Sequence, residues 1–189
     1  MTYLLVGEPA VEPVSLADAK AHLRITHDAE DGVLRGLVAA ARQHVEREAG
    51  LALIEQVWRL YLDDWPPDRC VRLRRHPVRR LEAVTVFDEA GDPHVIEPAA
   101  LRLDAVSRPA RLMVGDTVPG GATMNGVEIE FAAGYGETGA DVPGELKRAI
   151  LLLVSHWYEF RGTATAKDQP VSVPVGFERL LAPHRLAKL

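Results

Sequence analysis

Apolar and polar positions divide the chain into three stretches of different period. Up to about residue 50 the spacing is helical. Pro13-Val14-Ser15 ends an extended lead, and Ser15 is placed to cap a helix, with Asp18 three residues on in a capping-box arrangement. Leu16, Ala19 and Leu23 then share one face. Acidic residues between Thr26 and Asp31 suit the positive end of a second helix. Its apolar positions are Leu34, Leu37, Val38, Ala41 and Val45, the stripe of an amphipathic helix, and Gly50 supplies a left-handed stop.

From residue 51 to 136 the period shortens to two. Ile54, Gln56, Trp58, Leu60 and Leu62 alternate with Glu55, Val57, Arg59 and Tyr61, and Val71 and Leu73 alternate with Arg72 and Arg74. Val84–Phe87 and Val95-Ile96 flank the turn-forming run Asp88–Asp92, which reads as a hairpin. Arg111–Val114 and Val127–Ala133 flank a loop rich in glycine and proline. Short strands separated by turns predict a small antiparallel sheet or barrel.

After residue 136 the helical period returns. Pro143 suits a first helical turn, and Leu146, Ile150, Leu153, Val154 and Trp157 form a scaffold face. Ala149–Val154 is apolar all round, which predicts burial on more than one side. Trp157, Tyr158 and Phe160 set aromatic bulk on different faces, so one face is left for the C-terminal tail or a neighbouring subunit. Gly162 ends the helix, residues 163–174 are a polar, proline-containing hinge, and Val175–Leu181 precedes a basic tail. The expected fold is α+β: a discontinuous helical bundle from residues 1–50 and 137–189, with an antiparallel β subdomain, 51–136, inserted in it.

Composition narrows the function. A hydrophobic fraction of 47% supports a folded core, and a net charge of −5 argues against a general nucleic-acid coat or a polybasic membrane binder. The N-terminal apolar run lacks the basic flank and cleavage site of a signal peptide, and Ala149–Val154 is too short to span a bilayer, so no membrane partner is expected. One cysteine, Cys70, excludes a disulfide framework and fits a reducing compartment. Despite Arg69, Arg72 and Arg74 nearby, Cys70 lacks a base and reads as a passive surface or edge-strand thiol. The seven histidines show no metal-ligand spacing, so neither a metal nor a cofactor is expected.

Two features offer chemistry. Gly134–Gly139 fits G-x-G-x-x-G, the dinucleotide-binding pattern. Asp141-Val142-Pro143 separates these glycines from the helix, Glu137 sets negative charge at the phosphate position, and the strands before it look antiparallel. A glycine-rich turn is the better reading, and a nucleotide-binding enzyme is the weaker alternative. Arg69, Arg72, Arg74, Arg75, Arg79 and Arg80 form a cluster in an otherwise acidic chain. It is either a solvated strand face or a basic patch facing an acidic partner or DNA phosphates. Sparse aromatic residues between the arginines put a partner ahead of DNA, and a DNA-binding module remains an alternative function.

Three blocks in order carry a family resemblance. Pro13-Val14-Ser15-Leu16-Ala17-Asp18-Ala19-Lys20-Ala21-His22-Leu23-Arg24, followed by His27-Asp28-Ala29-Glu30-Asp31, resembles the opening of head–tail connector (adaptor) proteins of long-tailed phages, prophages and gene transfer agents. So do Phe131–Gly136 with Val142-Pro143 and the helix ending His156-Trp157-Tyr158-Glu159-Phe160-Arg161, and the closing Val173-Pro174 and Leu180–Arg185. The resemblance implies a structural protein without catalytic residues. Such connectors form a ring beneath the portal protein, matching its twelvefold symmetry, and extend the channel for translocating DNA. Their C-terminal segment docks on the portal, and the opposite face receives the next neck or tail-completion protein. Carried over, Phe177, Leu180, Leu181 and Arg185 become portal-docking candidates. The resemblance also implies residence at the head–tail interface of the particle, and in the host cytoplasm during assembly. It assigns no role to the inserted sheet.

Overall fold

A computed structural model of the chain describes residues 1–121, 124–160 and 173–185, and the chain divides into two compact units. The first comprises residues 1–10 and 55–135. Its strands are β1 (Thr2–Gly7), β2 (Gln56–Leu62), β3 (Cys70–Leu73), β4 (Val78–Phe87), β5 (Pro93–Val95), β6 (Leu101–Asp104), β7 (Ala110–Val114) and β8 (Val127–Ala133). They build an antiparallel five-stranded sheet, β1-β2-β8-β4-β5, and an antiparallel three-stranded sheet, β3-β7-β6.

Alternation in β8 organises the larger sheet. Ile129 faces Leu60 of β2 and Val84 of β4, and all three are buried. On the other face Glu128 and Glu130 reach Arg59 at 3.1 and 2.6 Å. The first ten residues, expected with the helices, belong to this unit instead. Thr2–Gly7 contains no helix cap and no charge, and it pairs with β2 from Thr2↔Tyr61 to Leu5↔Trp58.

The second unit comprises residues 11–54 and 136 onward. It contains α1 (Leu16–Leu23), α2 (Asp31–Ala49), α3 (Gly144–Phe160) and α4 (Phe177–Leu181). The capping box at Ser15 forms: its hydroxyl accepts the Asp18 N–H at 3.0 Å, and Asp18 accepts the Ser15 N–H at 3.3 Å. At the head of α2, Lys20 bridges Asp28 and Asp31 at 2.5 and 2.9 Å, and Gly50 closes the helix with φ +70°. The core joins Leu34, Val38, Ala41 and Val45 of α2 to Leu146, Ala149, Ile150, Leu153 and Val154 of α3. Trp157, expected on that face, is half-buried near the C-terminal end of α3. No described helix is long and apolar enough to cross a membrane.

A charged network lies inside this core, and periodicity gave no sign of it. Arg42 donates to Glu12 at 2.8 Å and to Glu46 at 2.9 Å, while the other Glu46 oxygen accepts the Leu53 N–H at 2.8 Å. Paired and hydrogen-bonded, the charges tolerate burial. They fasten the lead before α1 and the chain after α2 onto one helix.

Candidate functional site

The C-terminal segment turns at Gly176, whose φ of +95° a side chain rarely adopts, and enters α4. Phe177 and Leu181 are four residues apart, on one face of this short helix, and both are 0% exposed. Phe177 packs against His44 of α2 with ring centroids 5.6 Å apart, and His44 meets Trp157 of α3 edge-on at 5.9 Å. Around this plug His184 pairs with Glu145 at 2.8 Å, and Arg185 reaches Glu178 at 2.5 Å and Glu48 at 3.5 Å. The four docking candidates therefore do not form one surface. Phe177 and Leu181 are anchors that hold the segment to α2 and α3; Leu180 is half-buried, and Arg185 is exposed and ion-paired.

His44 is the unexpected member of this cluster. Its Nδ1 lies 3.1 Å from an Arg47 nitrogen, and its Nε2 is buried with no partner among the described residues. Burial pushes its pKa below the ordinary histidine value; Arg47 adds to the effect, while Glu48 and Glu178 oppose it.

The arginine cluster is likewise dispersed. Arg69, with φ +49°, turns its guanidinium onto the carbonyls of Gly115 and Val118 and ties down the loop after β7. Arg75 lies 4.6 Å over the Trp58 ring and 5.6 Å over the Tyr3 ring. Arg72 pairs with Asp68 at 3.1 Å; Arg79 and Arg80 converge on Glu55 at 2.8 and 2.6 Å, and Arg80 also meets Glu82. Arg74 is exposed, with its backbone N–H donating to the Tyr3 hydroxyl at 2.9 Å. Of the two readings of the cluster, these pairings favour the solvated strand face. Acidic side chains and loop carbonyls within the same unit occupy most of the guanidinium groups.

The glycine motif is a turn. Thr138 donates from its N–H and its hydroxyl to Asp141 at 3.0 and 2.8 Å, closing a capping box over a short 3-10 turn. The Asp141 carboxyl fills the space above Gly136, where an added Cβ would lie 2.3 Å from its carbon. A carboxylate thus stands where a nucleotide would need its phosphates. The strand before the motif, β8, is antiparallel to both neighbours. Cys70 is buried at the start of β3, an edge strand, opposite Met113.

Two further features escaped the sequence reading. A groove of about 680 Å³ opens in the helical unit between residues 11–15, α1, the 138–140 turn and α3. Val11, Val14, Ala21, Ala140 and Leu151 line it, and Glu12 and Asp18 give it acidic character. In the sheet unit, Asp104 organises the β6–β7 turn. It accepts the N–H groups of Val106 and Ser107 at 3.1 Å, the Ser107 hydroxyl at 2.6 Å and Arg111 at 2.6 Å. The Ser107 hydroxyl and the Arg111 guanidinium hold its carboxyl far below the usual carboxylate range. At the tip Val106 is 92% exposed. Asp104 followed by Ser107 was the available sequence signal for a side-chain-stabilised turn.

No cluster of three metal-ligating side chains occurs among the described residues. What the site offers is surfaces and anchors. Residues 13–70 match the family described as phage gp6-like head-tail connector protein. The resemblance to head–tail connectors holds. No curated protein matches the chain. Among solved structures, a chain of the "Virion of native gene transfer agent (GTA) particle" is 28% identical to this connector-like chain, with a TM-score of 0.82. The alignment covers 100% of this chain and 97% of that one. A chain of the "Neck of empty GTA particle computed with C6 symmetry" is 27% identical with a TM-score of 0.82, at the same coverage. A chain of the "Neck of native GTA particle computed with C12 symmetry" is 26% identical with a TM-score of 0.77, again at 100% and 97%. The likeness thus runs through both units, well beyond the stretch that matches the connector family.

Proposed function

We propose that this chain is a non-enzymatic structural connector at the head–tail interface of a phage-like particle. One observation carries the reading: likeness over the whole chain, at 28% identity and a TM-score of 0.82, to a component of a gene transfer agent virion. Copies assemble as a closed ring beneath the portal protein. The sixfold and twelvefold symmetry of the neck structures it resembles supports a ring. A ring requires two different surfaces on each copy, one meeting the other on the next. The ring extends the DNA channel and receives the next neck or tail protein on its far side. Contact with translocating DNA is non-specific, and it is weak because the exposed arginines Arg72, Arg79 and Arg80 already have acidic partners.

Portal docking falls to the C-terminal segment, with Leu180 and Arg185 on its outer side and Phe177 and Leu181 as the anchors that seat it. The test mixes the purified chain with the portal protein encoded in the same genome and images the product by electron microscopy. A ring added at the narrow end of the portal is the expected result. Bare portals, at concentrations where the chain is folded, overturn the reading. Leu180→Asp combined with Arg185→Glu is expected to leave the fold intact and abolish ring addition; rings of normal occupancy overturn the docking assignment.

A further inference from the structure

We infer that neighbouring copies join through a knob and a socket: the turn that carries Val106 in one copy enters the apolar groove beside α1 in the next. This rests on the ring reading and names the contact that closes it.

The knob is built for presentation. Val106 is 92% exposed, although the Asp104 carboxylate holds the turn around it. Both Asp104 oxygens are occupied, by two backbone N–H groups, a hydroxyl and the Arg111 guanidinium. A turn needing rigidity alone would be served by any polar residue at its tip. A rigid turn ending in a bare apolar side chain is ordered before it meets a partner, so little entropy is lost on binding. Arg108, two residues on, is exposed and forms no ion pair among the described residues.

The socket answers it in shape and charge. Its walls include Val11, Val14, Ala21 and Leu151, and Val11 remains 46% exposed. Its volume of about 680 Å³ exceeds that of one valine side chain. Asp18, held by Ser15 donors and by no cation among the described residues, sets negative charge at the groove, while Glu12 shares Arg42 with Glu46; Arg108 brings a positive charge with the knob. Lys147 also lines the groove; it donates to the Gly139 carbonyl at 3.0 Å and keeps its charge.

The occupant is a second copy because one chain carries both halves. An apolar tip on one unit and a pocket of opposite charge on the other form a heterologous pair, the kind of contact that a closed ring repeats. A foreign partner would need only one of them.

The test is a crosslink within assembled rings. Val106→Cys and Ala21→Cys are introduced together in the full chain, rings are formed on the portal protein, and a short bismaleimide is added. Cys70 is 7% exposed and serves as the silent background. The expected result is a ladder of covalent multimers that neither single variant gives. Rings that yield no ladder overturn the knob-and-socket contact while the connector reading stands. If the unmodified chain forms no ring on the portal, both fall. A second variant needs no crosslinker. Val106→Asp is expected to unfold at the same temperature as the unmodified chain and to reduce ring-bearing portals about tenfold. Normal ring occupancy with Val106→Asp overturns the inference.

Discussion

In the helical unit Arg42 and Glu46 are 7% and 8% exposed, and together they tie Glu12 and Leu53 to α2. In the sheet unit Glu55 gathers Arg79 and Arg80, whose side chains are 41% and 52% exposed. The pairs are alike in chemistry and length and differ in solvent. Removing one member of a buried pair strands the other without water, whereas an exposed arginine regains its hydration. Proximity of opposite charges is therefore no measure of their importance here; burial is.

Glu46→Ala puts that contrast to its severest test. It leaves the Arg42 guanidinium and the Leu53 N–H short of a buried acceptor and is expected to destabilise the chain by about 3–5 kcal/mol. Urea denaturation measures it. A loss below about 1 kcal/mol would mean that water reaches Arg42 and that the two units do not differ in this respect. Next in size is Phe177→Ala, expected to cost about 3 kcal/mol at the α4 plug, within the range for emptying a buried aromatic site. Because α4 is short, the loss is local. Hydrogen exchange is expected to quicken across residues 177–185 and to stay slow in α2 and α3. Uniform acceleration would show instead that the plug belongs to the global core.

Acid should act on the helical unit. His44 has its pKa lowered chiefly by burial, and His22 is lowered in the same direction by burial and by Arg148. A base whose pKa is depressed in the folded state favours folding while it is neutral. That contribution is complete above the unfolded value of about 6.5 and is lost as pH falls through 6.5 toward the lower folded value. Each histidine adds a slope of at most about 1.4 kcal/mol per pH unit in that window. His44→Phe is expected to flatten the fall in stability between pH 6.5 and 5, measured by thermal unfolding. An unchanged slope would remove His44 as the acid-sensitive contact of α4.

Legibility followed the same division. Helices α2 and α3 were visible because their apolar stripes are long, with Gly50 marking the end of α2 and Pro143 the start of α3, as Ser15 marks the start of α1. Strand β8 was visible because Val127, Ile129 and Phe131 alternate with charged Glu128 and Glu130. Strand β6 was not, since Leu101–Asp104 is four residues long and only Arg102 among them is exposed, which leaves little alternation. The roles of individual side chains were the least legible. Phe177 and Leu181 have the spacing of one helical face, and such a pair describes an anchor as well as a docking surface. Arg69 lies in sequence with its exposed neighbours, and only its left-handed backbone directs it inward. The buried link from Glu46 to Leu53 depends on how the chain turns after α2, which periodicity does not encode.

The smallest expected effect sharpens the contrast from the sheet side. Glu55→Ala removes the shared partner of Arg79 and Arg80 and is expected to cost less than about 1 kcal/mol, since both arginines regain water. Replacing Arg72, Arg79 and Arg80 together by serine should likewise change stability little, each being roughly half exposed. The same triple variant tests the DNA reading. Three phosphate contacts would contribute about 0.9 each to the slope of log affinity for duplex DNA against log salt. Because their acidic partners already neutralise these arginines, the slope is expected to change by less than about one. A fall near three would show that DNA displaces Asp68, Glu55 and Glu82. The exposed charges of the sheet would then be as indispensable to function as the buried ones of the helices are to folding.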